Sequence, residues 1–388
     1  MTYLEKLKRN IRIYYLYVGA RRFTFSFTIW VVFMQFLFSI TQISILDIIR
    51  AATVILLEIP TGILSDKRNR KYMLILSSSI YAFVMYIAYI SSGFTTFIFI
   101  NIIFAIRHTL YSGTINAIIY DTLDELGRKI EFEKIIGKGK LITMITTAIG
   151  GSIGARVATY NIRLPLLMTV ISAFAIVIAC FFINPKKQTQ QIDISRLKHI
   201  KKSIQYVIKS PIIFIIAYYI STEIAIALLD EYDQLYLSFI GFPLVRTGIW
   251  IGARRIARVG GSIAHKFKNK RQKSYKKIGI ISLIGSLLSI YRNTIILMAF
   301  FIIFLLRGII ETLLMGDLHN NIPSNQRATV ESTMFFLFNL IDIPFRLFGK
   351  LSDIYNIKTG YLYLAIITTL FACYYFYSQR KRNLTSHV

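Results

Sequence analysis

The sequence predicts an all-α polytopic membrane protein, with twelve transmembrane helices in two pseudo-symmetric six-helix bundles. Three observations predict it. The chain is 55% hydrophobic with a mean hydropathy of +0.55 over 388 residues, too apolar for a soluble chain of that size. Apolar runs of about 20 residues, long enough as helices to cross a bilayer core, recur along its whole length. Short segments of the first half reappear in the second half at nearly one offset.

The spans follow in order. The first six are 13–36, 43–64, 72–91, 96–119, 141–158 and 164–183; the second six are 211–230, 245–264, 277–291, 294–316, 326–349 and 359–378. Strands of a membrane barrel are about ten residues long and alternate in polarity, and these runs do neither. The start, MTYLEKLKRNIR, is basic and runs straight into the first span, so no cleavable leader is expected. With the N-terminus in the cytoplasm, 31 of the 46 lysines and arginines fall in the two tails and the cytoplasmic loops. Five fall outside: Arg163, Arg246, Arg292, Lys350 and Lys358. Cytoplasmic segments are enriched in Lys and Arg, so both termini are placed in the cytoplasm, with the chain crossing the cell membrane many times. An odd number of spans would put basic segments on the wrong side.

The remaining ten cations lie within or at the ends of spans, and all are arginines: Arg21, Arg22, Arg50, Arg107, Arg156, Arg254, Arg255, Arg258, Arg307 and Arg346. Each would cost about 2.5–3.5 kcal/mol facing mid-bilayer lipid. Most must therefore face a wet interior, pair with acids or snorkel, and a water-accessible gap inside the bundle is expected. The net charge of +27 belongs to basic loops on one membrane face, because a nucleic-acid binder does not carry a dozen spans. Cys180 and Cys373 both fall in apolar spans and read as small core residues, and none of the five histidines has metal-ligand spacing. No metal, no other cofactor and no nucleic-acid partner is expected.

Three matches carry the internal repeat. Gly62 to Lys71 aligns with Gly261 to Lys270, Phe104-Ala-Ile-Arg107 with Phe304-Leu-Leu-Arg307, and Gly154 with its Tyr160-Asn-Ile-Arg163 with Gly349 and its Tyr355-Asn-Ile-Lys358. The offsets, 199, 200 and 195, are about half the chain. The halves are therefore 1–183 and 211–388, and the basic, polar segment 184–210, with its run KKQTQQ, is the linker. Two parallel six-helix bundles leave a cleft that rocking exposes to alternate sides.

One charged knot interrupts the apolar runs: Glu58-Ile-Pro60-Thr-Gly62-Ile-Leu64-Ser-Asp66-Lys67-Arg68-Asn69-Arg70-Lys71. It resembles the loop 2–3 signature of the major facilitator superfamily, G-x-L-a-D-r-x-G-r-(R/K), through Gly62, Leu64, Asp66, Lys67, Arg70 and Lys71. The lead-in Glu58-Ile-Pro60-Thr-Gly62 is similar to a bacterial branch rich in efflux proteins. Tyr111-Ser-Gly113, Tyr120-Asp121-Thr-Leu, and Ile322-Pro-Ser-Asn-Gln-Arg327-Ala-Thr-Val330 extend the resemblance over nearly the whole chain. It implies a cytoplasmic latch in which Gly62, Asp66, Arg70 and Lys71 meet Asp121 and the Ser324–Arg327 region. The bland alternative, a positive-inside anchor, explains the bases but not an acid among them. Asn69 stands where the family prefers Gly, and Asn tolerates the left-handed turn. His265 replaces the acid in the second copy, which reads as degenerate.

Acids in or near the spans are Asp47, Glu58, Glu223, Asp230, Glu231, Glu311, Glu331 and Asp342. Glu223 and Asp230 are two helical turns apart on one face. Glu223 and Glu311 are preferred for carrying a coupling proton, with Asp230 beside them; a permanent ion pair, for instance Glu311 with Arg307 four residues away, is the alternative. Asp342 and Arg346 have the same spacing. Arg21, Arg22, Arg107 and His108 crowd spans 1 and 4, and Arg254 and Arg258 share a face of span 8. With Arg307 they are candidate cavity residues, suited to an anionic or zwitterionic small molecule unless inter-helix acids cancel their field. Gly150, Gly151 and Gly154 in span 5 read as close packing, and the proline of the full antiporter motif is absent.

Function classes separate on this basis. A secondary transporter moving a small organic solute by alternating access leads, as proton-coupled efflux, with import of an organic anion by proton symport as its rival. An enzyme or ATP-driven pump is disfavoured, because no metal cluster, nucleotide-binding Gly loop or Ser/His/Asp set is present. A non-transporting sensor or scaffold is the reading of another class, and it has little use for a latch. Nothing marks an oligomer interface, so a monomer in the lipid bilayer is expected.

Overall fold

The computed structural model describes residues 2–67, 70–111, 114–184, 212–263, 297–298, 301–305, 307, 327–367 and 369–370. Within them, side chains are described except at 58–60, 62–67, 133, 212–219, 221–222, 225–226, 228–229, 259–263, 327–333 and 335–336. The described residues are helical or in short connections, with no strand among them. In chain order the helices are α1 (Tyr3–Arg22), α2 (Trp30–Leu37), α3 (Ile40–Lys67), α4 (Arg70–Ile90), α5 (Phe94–Tyr111), α6 (Thr114–Glu125), α7 (Phe132–Ala158) and α8 (Leu164–Phe181). They continue as α9 (Ile212–Phe239), α10 (Leu244–Ile263), α11 (Arg327–Phe345), α12 (Leu347–Ile354) and α13 (Ile357–Ile367). Among the described residues five helical segments are long and apolar enough to cross a membrane: Ile40–Leu57, Arg70–Ile90, Phe94–Glu125, Lys129–Ala158 and Leu164–Phe181. The expected span 277–291, most of 294–316 and the linker 185–210 lie outside the described residues.

The chain forms two compact units that alternate along the sequence. The first is Met1–Phe38, Ile49–Ile192 and Pro243–Gly252; the second is Ser39–Ile48, Asp193–Phe242 and Ala253–Val388. In the first unit α4 lies between α5 and α8, and α1 packs on α7 and α8. Tyr17, Leu74, Ile119, Leu123, Ile176 and Cys180 anchor its core. On α8 the residues Ile171, Phe174, Ile178 and Phe181 are all more than half exposed and recur at helical spacing, while Leu166, Ala173 and Ile176 are buried on the other side. Left in water, each such side chain would forgo about 1.5–3 kcal/mol, so the outer stripe is fitted to lipid.

Two helix starts are capped reciprocally by side chains. The α1 start is a capping box, in which Glu5 N donates to Thr2 Oγ1 and Thr2 N to Glu5 Oε2 (3.3 and 2.8 Å). The α3 start uses the same device, Ser39 with Gln42 (3.0 and 3.2 Å), and adds a remote acid. Asp353, in α12, accepts from Ile40 N at 3.1 Å and Thr41 N at 2.5 Å, so the first free N–H groups of α3 meet a carboxylate. Partial burial works to raise the Asp353 pKa, but hydrogen bonds from the Thr41 side chain and backbone, Ser39 and Ile40 outweigh it and hold it below the usual carboxylate range. A depressed folded pKa gives stability that is present above the unfolded value of about 3.9 and is lost as pH falls through the folded one. Asp353→Ala is thus expected to lower thermal stability at pH 6–8 by an amount equivalent to at most about 1 kcal/mol. That gap should close as unfolding is repeated at successively lower pH below about 4, and a gap independent of pH would show that the charge is not what stabilises.

Three spans differ in detail from the hydropathy reading. Span 1 is two helices, because the chain unwinds between Arg22 and Phe27. Thr169 Oγ1 accepts from both Phe25 N (3.2 Å) and Ser26 N (3.1 Å), replacing the helical acceptors lost at the break. Span 7 continues as α9 to Phe239, past Asp230, Glu231 and Asp233, which read as an end until their arginine partners are seen. Span 11 divides at Arg346 into α11 and α12, with Pro344 withholding an N–H from the last turn of α11.

Candidate functional site

The break in span 1 sets the first constellation. Arg21 and Arg22 occupy the last turn of α1, where cations meet the negative end of the helix dipole. Gly150, Gly151 and Gly154 of α7 hold the break in place. A Cβ on Gly150 would lie 3.3 Å from the Phe23 carbonyl carbon, one on Gly154 would overlap the Phe25 carbonyl oxygen, and one on Gly151 would strike Thr28. Thr28 Oγ1 donates to Gly151 O at 2.8 Å. The small residues are therefore the surface on which an unwound backbone docks.

From there the Arg21 guanidinium reaches over the ring of Tyr111 on α5, 4.3 Å to its centroid. Arg107, one turn before Tyr111, stacks on Tyr81 of α4 at 3.9 Å and lies 5.2 Å from both Phe104 and Tyr111. Phe104, Arg107 and Tyr111 are spaced by three and four residues, which puts them on one face of α5. His108 meets Tyr111 edge-on at 5.2 Å. The sequence pointed to the four basic residues, and to Tyr111 only through the Tyr111-Ser-Gly113 match, but not to Tyr81. Both Arg21 and Arg107 are half-buried, and the Nε of each is buried without a hydrogen-bond partner.

The second unit treats its arginines differently. Arg307 makes two contacts to Glu223 on α9, Nη2 to Oε2 at 2.5 Å and Nε to Oε1 at 3.3 Å. Arg254 on α10 binds Asp230 and, at 2.5 Å, Asp233, and stacks 4.4 Å from Phe304. Arg258, one turn further, is half-buried. Arg346 gathers three carboxylates: Asp342 at 3.0 Å, Glu231 at 2.9 Å and Asp47 at 3.1 Å, with the Tyr232 hydroxyl at 3.4 Å. The Asp342–Arg346 spacing was legible; the convergence of Asp47 and Glu231 was not, and Asp233 was missed although it lies one turn from Asp230. Glu311 lies outside the described residues.

At the other end of the first unit, Arg70 opens α4 and forms an ion pair with Asp121 of α6. Lys71 Nζ donates to Phe181 O, at the end of α8, at 2.5 Å. Gly62 and Asp66 belong to the last turns of α3, and Arg327 begins α11, in stretches where the side chains lie outside the described ones.

Comparison with known proteins agrees with this architecture. No curated protein matches the chain. Two crystal structures of the nucleoside transporter NupG, one of them of a point mutant, share its fold. The mutant aligns over 97% of this chain and 99% of its own with a TM-score of 0.74 at 14% identity. The other aligns over 97% and 98% with a TM-score of 0.70, also at 14% identity. The family model described as Major Facilitator Superfamily matches residues 13–343, most of the length over which helices, break and arginines have just been placed. The chain belongs to the Major Facilitator Superfamily.

Proposed function

We propose that this protein is a secondary active transporter that exports a small organic solute by alternating access, coupled to protons. On this reading twelve helices form two halves, 1–183 and 211–388, joined by the basic linker 184–210. The protein works as a monomer in the cell membrane, with both termini in the cytoplasm. The observation that carries the reading is the Arg70–Asp121 ion pair. It joins two pieces of sequence 51 residues apart that the family resemblance assigns to one latch. A latch of two charges can be broken and remade as two states exchange, which a static scaffold does not need.

The experiment is counterflow in proteoliposomes with the variants Arg70→Gln, Asp121→Asn and the exchange Arg70→Asp with Asp121→Arg. Each single variant is expected to slow transport about tenfold or more while solute binding persists, and the exchange is expected to recover part of the rate. Folded single variants that transport at the wild-type rate would remove the latch. For the proton, Glu223, Glu311 and Asp230 are the candidates. Arg307 neutralises Glu223 and Arg254 neutralises Asp230 in the structure, so proton uptake on either acid requires its guanidinium to part from it. Import of an organic anion by proton symport is the second reading, and the pair Arg21 and Arg107 favours it. Comparing counterflow in inside-out and right-side-out vesicles separates the directions.

A further inference from the structure

Arg21 and Arg107 of the first unit are held differently from Arg254, Arg307 and Arg346 of the second. In the second, Arg254, Arg307 and Arg346 all contact carboxylates. In the first, α4, α5 and α8 contain no Asp or Glu at all, and the acids of α1 and α7 are Glu5 and Glu133, each in a first turn. Arg21 and Arg107 have no carboxylate contact among the described residues. Aromatic faces are their main neighbours, and an aromatic face offsets only about 0.5–2 kcal/mol per cation. Two guanidinium charges held near one tyrosine ring call for a counter-charge, and no described carboxylate side chain contacts them to supply it.

We propose that the counter-charge is the solute: Arg21 and Arg107 form a binding site for a small organic anion, recognised by its carboxylate or phosphate group. A guanidinium stacked on a ring uses its face for the stack, and its N–H donors point outward in the plane, the geometry that matches an oxyanion edge-on. The Nε atoms of both residues are buried without a hydrogen-bond partner, so neither group is fully satisfied within the protein. Tyr81, Phe104 and Tyr111 hold the two guanidinium groups in place. Half-burial leaves the groups reachable while shielding them from salt. Arg254 and Arg307, already occupied by acids, are assigned to holding the second unit together. This inference rests on the transporter reading for what the bound anion then does, but not for the binding itself.

The test is a thermal-unfolding titration of the full chain in detergent with benzoate, phenyl phosphate, benzamide, uridine and inorganic sulfate. Benzoate or phenyl phosphate is expected to raise the Tm saturably, and whichever acts tells carboxylate from phosphate recognition. Benzamide, uridine and sulfate are expected to do less than a tenth as much at equal concentration. Arg107→Gln and Arg21→Gln are each expected to weaken the anion's apparent affinity about ten- to hundredfold, the loss of one or two charge-assisted hydrogen bonds. Either variant suffices if the other does not fold. Lys129→Gln, which removes the same charge from an exposed loop, should leave the affinity unchanged. Equal shifts with benzamide or sulfate, or full affinity in a folded Arg107→Gln, would overturn the site. Counterflow of phenyl phosphate separates the two levels. Binding without counterflow would overturn transport and keep the site, whereas uridine counterflow indifferent to Arg21→Gln and Arg107→Gln would keep transport and overturn the site.

Discussion

Arg346→Met is expected to destabilise the protein by about 3–5 kcal/mol, the cost of stripping the cation from a buried ion cluster. Arg346 is 7% exposed and binds Asp342, Glu231 and Asp47, which come from three different helices. Methionine fills much of the same volume, so lost packing is a small part of the effect. What remains is a set of carboxylates facing one another in a low dielectric without the guanidinium that held them. Thermal unfolding in detergent measures the loss. Adding Asp342→Leu to Arg346→Met should return part of it, because removing both members of a buried pair costs less than removing one. A single variant with wild-type stability would mean that the cluster contributes nothing.

The second large effect is steric. Gly154→Ala is expected to cost about 1–3 kcal/mol, because its Cβ would overlap the Phe25 carbonyl oxygen, a backbone atom that cannot rotate aside. Gly137→Ala on the same helix is the control. Nothing lies within 4 Å of its Cβ position, and alanine is favoured over glycine in a helix by about 1 kcal/mol, so this variant should be neutral or stabilised. One chemical change on one helix thus has opposite signs, measured as two Tm shifts. If Gly154→Ala behaved like Gly137→Ala, the unwound segment between α1 and α2 would not be seated on α7. Because that segment sets where Arg21 emerges, its displacement should also weaken any anion held by Arg21.

The two effects locate what a sequence can and cannot carry. Helical spans were legible because burial in lipid demands long apolar runs with every backbone group bonded within the segment. The family was legible because Gly62, Leu64, Asp66, Lys67, Arg70 and Lys71 resemble its loop 2–3 signature. Spacing along one helix was legible too, which is how Asp342 and Arg346 were paired in advance. The break at Phe23–Ser26 was not, because Thr169, more than 100 residues away, supplies the acceptor that replaces the helical bonds, and Gly151, also more than 100 residues away, seats Thr28. Nor was the continuation of α9 through Asp230, Glu231 and Asp233, since acids read as the end of a span until Arg254 and Arg346 stand opposite them.

By itself, then, the sequence determined an apolar helical membrane protein of this superfamily, the spacing of pairs such as Asp342 and Arg346, and the list of arginines that need an explanation. Tertiary structure alone decided which arginines are answered by acids and which are left stacked on tyrosines. Charge pairing acts over a few ångströms in space and is indifferent to distance along the chain, whereas periodicity and hydropathy are properties of neighbours in sequence.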